Sequence, residues 1–268
     1  MTEHRTDCWG RLNEAPDITP ALSILADLPE GFRAARRTMI AALHLRADSR
    51  VLEAGCGPGT ALEDLVEVIG PAGGIIGIDP TRAFVTAAED RARSAGIAHA
   101  RYAVGDIRRI DEPDSSVDAA FCDKILVHVS PIATAVGELA RITRRGGRVG
   151  VVEWYSQGMS IAADYVLTRR ILDGSSPVGA LNPLAPLELE SLLARAGLSD
   201  IAGGTIAAET RQLNPGIQIM LKRRVEQAVE LGAISTAEGE EWLHELSARD
   251  ASGRFYWGAL VRWAAGTR

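Results

Sequence analysis

Three acids stand where short apolar runs give out: Glu53, Asp79 and Asp106. Glu53 leads into Ala54-Gly55-Cys56-Gly57-Pro58-Gly59. Glycines allow tight turning and close backbone approach, and the first N–H groups of a following helix can hold polar ligand atoms. The spacing is GxGxG, not the GxGxxG of dinucleotide loops. A carboxylate two residues before the first glycine is badly placed beside a pyrophosphate but suits a cation such as an ammonium group; it could also accept backbone donors. Asp79 could accept both hydroxyls of a ribose in a bidentate contact, or cap the next helix. Asp106 could accept the exocyclic amino group of adenine, with the Ile107 N–H beside it, or be a simple turn aspartate.

Such groups need elements that bring them to one edge. Phe32, Ala35, Met39 and Leu43 recur at helical spacing, so 30–45 is predicted as an amphipathic helix. Strands are expected at 50–54, 74–78, 101–104, 117–122 and 148–152, with helices at 60–69 and 81–95. A further helix carries Ile132, Val136, Leu139 and Thr143. Ser130 can cap it with Pro131 in its first position, and Gly146-Gly147 can stop it. This alternation argues for a parallel sheet covered by helices on both faces, and ligands then bind beyond the carboxyl ends of the strands. Later helices are expected at 159–173, 186–196, 216–232 and 236–249, and strands at 201–209 and 255–263. Prolines 16, 20 and 29 break the start. The organisation expected is an N-terminal lid segment, 1–30, and one domain, 31–268, with a helical cap at 157–183 and a late helical insertion at 213–252. A separate small cap domain is the alternative.

Five motifs, Val51-Leu-Glu-Ala-Gly-Cys-Gly-Pro-Gly59, Gly77-Ile-Asp-Pro80, Gly105-Asp-Ile107, Val117-Asp-Ala-Ala-Phe121 and Gly146-Gly-Arg-Val149, occur in this order. Together the chain resembles the class I S-adenosylmethionine (SAM)-dependent methyltransferases, over about 31–152, with 187–198 and 255–263 similar to the family's C-terminal tail. The resemblance implies an α/β, Rossmann-like, seven-stranded, mostly parallel sheet of order 3-2-1-4-5-7-6, its last strand antiparallel. It implies SAM as cofactor and S-adenosylhomocysteine (SAH) as product. Gly55, Cys56 and Gly57 would line the methionine portion, with Glu53 beside them. Asp79 would hold the ribose, Asp106 and Ile107 the adenine, and Asp123 and Lys124 would flank the sulfonium or carboxylate end. One of Arg33, Arg36 and Arg37 could reach the SAM carboxylate. Within the class the chain is similar to small-molecule enzymes of quinone biosynthesis and natural-product tailoring. Cys122-Asp-Lys-Ile125 stands where amino-directed nucleic-acid methyltransferases carry Asn/Asp-Pro-Pro-Tyr.

Methyl transfer from a sulfonium chiefly needs in-line positioning, and a hydroxyl acceptor also gains from a general base. His128 and Glu153, after the fourth and fifth strands, are the candidates; each could instead be a hydrogen-bonded wall residue. Related enzymes often carry a histidine at the position of His128. Trp154 and Tyr155 could clamp a flat acceptor, or pack in the core. Tyr165, with Trp9 and Phe32, could belong to a lid. These walls show few charges, so a mostly apolar, neutral or weakly polar acceptor is expected.

Asp and Glu exceed Lys and Arg by 35 to 29, a net charge of −6, which lacks the basic footprint of a nucleic-acid binder. Cys8, Cys56 and Cys122 form no CxxC pair, and no cluster has metal-ligand spacing, so neither disulfide, zinc nor other metal is expected. The start lacks a signal-peptide pattern, and no apolar run approaches the ~18 residues of a membrane span. A cytoplasmic enzyme of secondary metabolism with a small-molecule acceptor is the expectation, and 216–249 could serve a homodimer. The alternatives are a SAM-binding enzyme with a non-methylating reaction such as cyclisation, a nicotinamide enzyme, and a binding module using 216–249.

Overall fold

The computed structural model describes residues 17–175 and 181–268. The first sixteen residues of the expected lid, including Trp9, and 176–180 of the expected cap lie outside the described residues.

The chain forms β1 (Arg50–Ala54), β2 (Gly74–Asp79), β3 (Ala100–Val104), β4 (Val117–Asp123), β5 (Thr143–Ile161), β6 (Ser199–Thr210) and β7 (Trp257–Thr267). They make one sheet of order β3-β2-β1-β4-β5-β7-β6. The first five strands are mutually parallel, and β7 runs antiparallel between β5 and β6. The order is the one the family resemblance implies. Central strands such as β4 are buried almost throughout, as expected of a sheet covered on both faces.

The helices are α1 (Thr19–Ala26), α2 (Glu30–Ala42), α3 (Leu62–Val66), α4 (Arg82–Ser94), α5 (Ile132–Ile142), α6 (Tyr165–Gly174), α7 (Leu189–Arg195), α8 (Pro215–Glu230) and α9 (Thr236–Ala251). One apolar cluster joins Phe32, Met39 and Ile40 of α2 to Phe121, Val152 and Trp257 of the sheet, and extends to Leu221 of α8 and Trp242 of α9. On the other face α5 and α7 pack Val136, Leu139 and Leu192 against Leu52, Ala120 and Val151. Gly31 lets α2 approach β6, because a Cβ there would collide with the backbone of Ala207 and Ala208.

Four local expectations are corrected. Ser130 does not cap α5; Pro131 occupies the cap position, with no side-chain cap bond. Thr143 does not continue that helix: it starts β5, and its hydroxyl donates to the Leu139 carbonyl at 2.7 Å. The register against β4 slips between Val117 and Ala119, which absorbs the glycine pair inside β5 rather than before it. At its other end β5 runs on to Ile161, because Ser160 and Ile161 regain partners on β7 after a second slip. The helix expected from 159 therefore starts only at Tyr165, where Asp164 caps it by accepting the Leu167 N–H at 2.7 Å.

Candidate active site

Beyond the carboxyl ends of β1, β2 and β4 lies a cavity of about 590 Å³. Glu53, Gly55, Cys56, Gly57, Asp79, Asp106, Ile107, Asp123, Lys124, His128 and Trp154 all border it. Gly55 and Gly57 have φ of +75° and +51°, a region costly for side-chain-bearing residues. A Cβ on Gly55 would also collide with the Ile125 side chain. The Gly55 and Cys56 N–H groups donate to the Ile78 carbonyl at 2.7 and 3.0 Å, which pins the loop to β2.

Asp79 lies ahead of α4 but does not cap it: Thr81 holds the cap position, with no side-chain cap bond. The Asp79 carboxylate accepts the Gly57 N–H at 2.9 Å and the Thr81 N–H at 2.8 Å, while the residue borders the cavity. Asp106 accepts from the Arg108 backbone N–H at 2.8 Å and its guanidinium, which hold the carboxyl below its ordinary range.

Glu53 is buried and accepts no hydrogen bond among the described residues. Burial pushes its pKa up to about 8, Arg36 opposes the rise, and Asp123 adds to it. A buried carboxyl of this kind gains its charge when a cation arrives beside it. Burial likewise pushes the Cys56 thiol up, so Cys56 serves as a wall and not as a thiolate.

Of the three arginines, Arg36 turns inward. It bonds Asp64 at 2.8 Å, Asp123 at 3.3 Å and the Thr60 carbonyl at 3.0 Å. Arg33 also reaches Asp64, and Arg37 pairs with Glu67, both from half-exposed positions. Lys124 has φ of +64° and its Nζ lies 2.7 Å from Asp123 Oδ1 as an ion pair without hydrogen-bond alignment. These groups suit SAM chemically: a carboxylate wall for a doubly cationic ligand, an aspartate for the ribose, and glycines where backbone and ligand approach.

His128 sits on a single 3-10 turn, Leu126–His128, directly after β4. Glu153 does not share its position. It is fully buried, does not border the cavity, and accepts the Leu126 N–H with one oxygen while the other has no partner. Burial pushes its pKa up to about 8. Side chains alternate along a strand: Val152 and Trp154 face the α2 side, Val151 the other, and Glu153 follows Val151. The expectation of a general base at Glu153 is therefore corrected to a support beneath the His128 turn. Trp154 does border the cavity and packs on Phe32 and Trp257, with ring centroids 5.7 and 6.2 Å away. Tyr155 instead folds over Gly158, and Tyr165 is 77% exposed on α6; neither borders the cavity.

One wall segment escaped the sequence reading: Met220, Arg223 and Arg224 enter from α8, while Ile24, Leu25 and Leu28 enter from α1 and the loop after it, within the 1–30 segment expected as a lid. The two are tied together: Asn214 donates to the Asp27 carbonyl at 2.9 Å, and Asp27 accepts the Gly216 N–H at 3.0 Å. The available signal was Arg224 itself. It falls three residues after Leu221 and four before Ala228, on the apolar stripe of α8, where a charge is out of place.

Residues 51–147 match a family model described as a methyltransferase domain. The chain is 31% identical, over 248 residues, to an uncharacterized 37.1 kDa protein in transposon TN4556 of Streptomyces fradiae; the match covers 89% of this chain and 70% of that one. It is 33% identical over 107 residues to a 2-phytyl-1,4-naphtoquinone methyltransferase of Synechococcus elongatus, covering 40% of this chain and 46% of that protein, less than half its length. Among solved structures, the cyclase SpnF shares the fold with a TM-score of 0.60 at 19% identity, over 96% of this chain and 97% of that one. With the sheet order, the glycine loop and the acids at its strand ends, these matches establish that the chain belongs to the class I SAM-dependent methyltransferases, with SAM as its cofactor.

Proposed function

We propose that the chain transfers a methyl group from SAM to a small organic acceptor held in the same cavity. The observation that carries this reading is one cavity with two kinds of lining. Acids and glycines, Glu53, Gly55, Gly57 and Asp79 among them, share its wall with the apolar side chains of Leu25, Leu28, Trp154 and Met220. When bound, SAM supplies a methyl group already activated on a sulfonium. The protein's residues bind, orient and exclude water. Gly55 and Gly57 admit the ligand to the backbone, Glu53 faces its ammonium group, Asp79 takes the ribose hydroxyls, and Asp106 with Ile107 meets the adenine edge. Trp154 and the α1 side chains keep water from the acceptor. His128 takes the proton from an acceptor hydroxyl, and Glu153 holds the turn that aims it.

The 2-phytyl-1,4-naphtoquinone named for the Synechococcus relative lends support to a cyclic, largely apolar acceptor. A role in secondary metabolism belongs to the same proposal, as does a cytoplasmic location, in line with the buried free thiols Cys56 and Cys122. The net charge of −6 favours a small molecule over a nucleic acid. The likeness to SpnF favours one second reading, a SAM-binding enzyme that cyclises its substrate.

Incubation with methyl-labelled SAM and extracted small metabolites tests both. Methyl transfer predicts labelled small product and SAH, mole for mole. Substrate conversion without SAH would select the cyclase reading. Label entering only DNA, RNA or bulk protein would overturn the small-molecule acceptor.

A further inference from the structure

The cavity wall holds a buried cation that no carboxylate among the described residues neutralises. Arg224 is 3% exposed and borders the cavity from α8. One guanidinium nitrogen, Nη1, donates to the Ser175 carbonyl at 3.1 Å and the Ser175 hydroxyl at 3.3 Å. Its Nε and Nη2 make no hydrogen bond among the described residues, and it forms no ion pair with any carboxylate among them. Burial alone acts on it and pushes its pKa down to about 10. On the same helix Ile217, Leu221, Val225 and Ala228 are buried apolar residues, so the helix stripe would pack at lower cost with an apolar side chain at 224. Arg223, next in the chain and half-buried, borders the same cavity.

A buried charge left without a partner costs several kilocalories per mole, so a ligand that completes the pair recovers that cost on binding. A planar guanidinium with one edge free matches the two oxygens of a carboxylate. We propose that Arg224, assisted by Arg223, recognises a carboxylate on the acceptor, which is then an apolar small molecule carrying one acidic group and not the neutral or weakly polar one expected from the sequence. The proposal rests on the methyltransferase reading for the word acceptor. Its physical content, an anion-selective end of this cavity, stands apart from the reaction.

The test uses benzoate as the probe and benzamide as its uncharged isostere. The SAH-loaded protein, labelled with nitrogen-15 arginine, is titrated with each while the Arg224 Nε–H signal is followed by NMR; Arg224→Lys assigns that signal by its disappearance. The expected result is a saturable shift with benzoate and a preference over benzamide of roughly ten- to a hundredfold, the worth of a charge-assisted hydrogen bond. Arg224→Met is expected to lose the preference while calorimetry shows unchanged SAH affinity. No response to benzoate, equal binding of the two probes, or a preference that survives in Arg224→Met would each overturn the proposal. The wild-type titration decides the matter even where Arg224→Met fails to fold. Failure of the wild-type protein to bind SAH would break the methyltransferase reading instead, and the same titration without SAH would still judge the arginine.

Discussion

The two ends of the cavity are built on different principles. At the cofactor end the polar groups belong to residues 53–124, and all but Asp123, which Arg36 of α2 bonds, keep to near neighbours or the adjacent strand. Asp79 is fixed by Gly57 and Thr81, and the glycine loop by the Ile78 carbonyl. The apolar part of the wall is gathered from distant stretches: Leu28, Trp154, and Met220 to Arg224. The end of α1 is bonded to the start of α8 across 187 residues of sequence. On the proposed function, cofactor binding is thus encoded by short local patterns on the sheet, and acceptor choice by helix packing. Substitutions at the two ends should separate SAM affinity from turnover.

The largest separation is expected at His128. His128→Ala should lower kcat by roughly 10²–10⁴-fold, as loss of a general base does, while leaving SAM affinity intact by calorimetry. A fall in SAM affinity equal to the fall in kcat would show that His128 belongs to the cofactor end. The converse is Asp79→Ala, which removes the carboxylate proposed to meet the ribose and frees two backbone donors. Its SAM Kd should rise roughly ten- to a hundredfold. Unchanged affinity in a folded variant would sink the ribose assignment.

The same division explains what could be read from the sequence. The five parallel strands, their order through the family resemblance, and the acids at their ends follow from patterns a few residues long. Gly55 announces a left-handed turn, and Asp79 a strand end facing a helix start. Arg36 could not be separated from Arg33 and Arg37, because only packing against Asp64 and Asp123 decides which of three neighbours turns inward. Glu153 was misjudged because its position after an apolar run does not say which face of β5 it takes once the strand runs on to Ile161. The α8 part of the wall, Arg224 included, was missed for a related reason: no local pattern links it to α1, about two hundred positions away.

Glu53 sharpens the comparison through pH. Its pKa stands near 8 in the ligand-free protein, and a cation beside it favours the ionised form. Binding SAM should therefore release a proton, and affinity should improve as pH rises, roughly fivefold between pH 7 and pH 8 by linkage. Calorimetry in buffers of different ionisation enthalpy measures the proton directly, and Glu53→Gln should abolish it. The sign for stability is opposite. Glu53 and Glu153 are both raised from 4.5 to about 8 in the folded chain, which then holds protons that the unfolded chain has released. Stability without ligand should fall as pH rises from about 4.5 to about 8. A thermal melt that climbs across that window would contradict both burials.

The smallest effect is expected at Tyr165, and it tests where the acceptor end stops. Its side chain stands 77% exposed at the start of α6, away from the cavity wall. The helix is held by other means: Trp242 donates to the Thr168 hydroxyl at 2.9 Å, and Arg170 pairs with Glu238 of α9. Removing the ring leaves those bonds in place and uncovers no buried polar group. Tyr165→Ala should change stability by no more than about 0.5 kcal/mol, the range of surface substitutions away from special features, and should leave kcat and SAM affinity as they are. Trp154→Ala is the matched control, because the same loss of an aromatic ring there opens a wall packed on Phe32 and Trp257. A large loss of turnover in Tyr165→Ala at unchanged SAM affinity would mean that α6 closes over the acceptor during the reaction. The acceptor end would then have to be extended from α8 to α6.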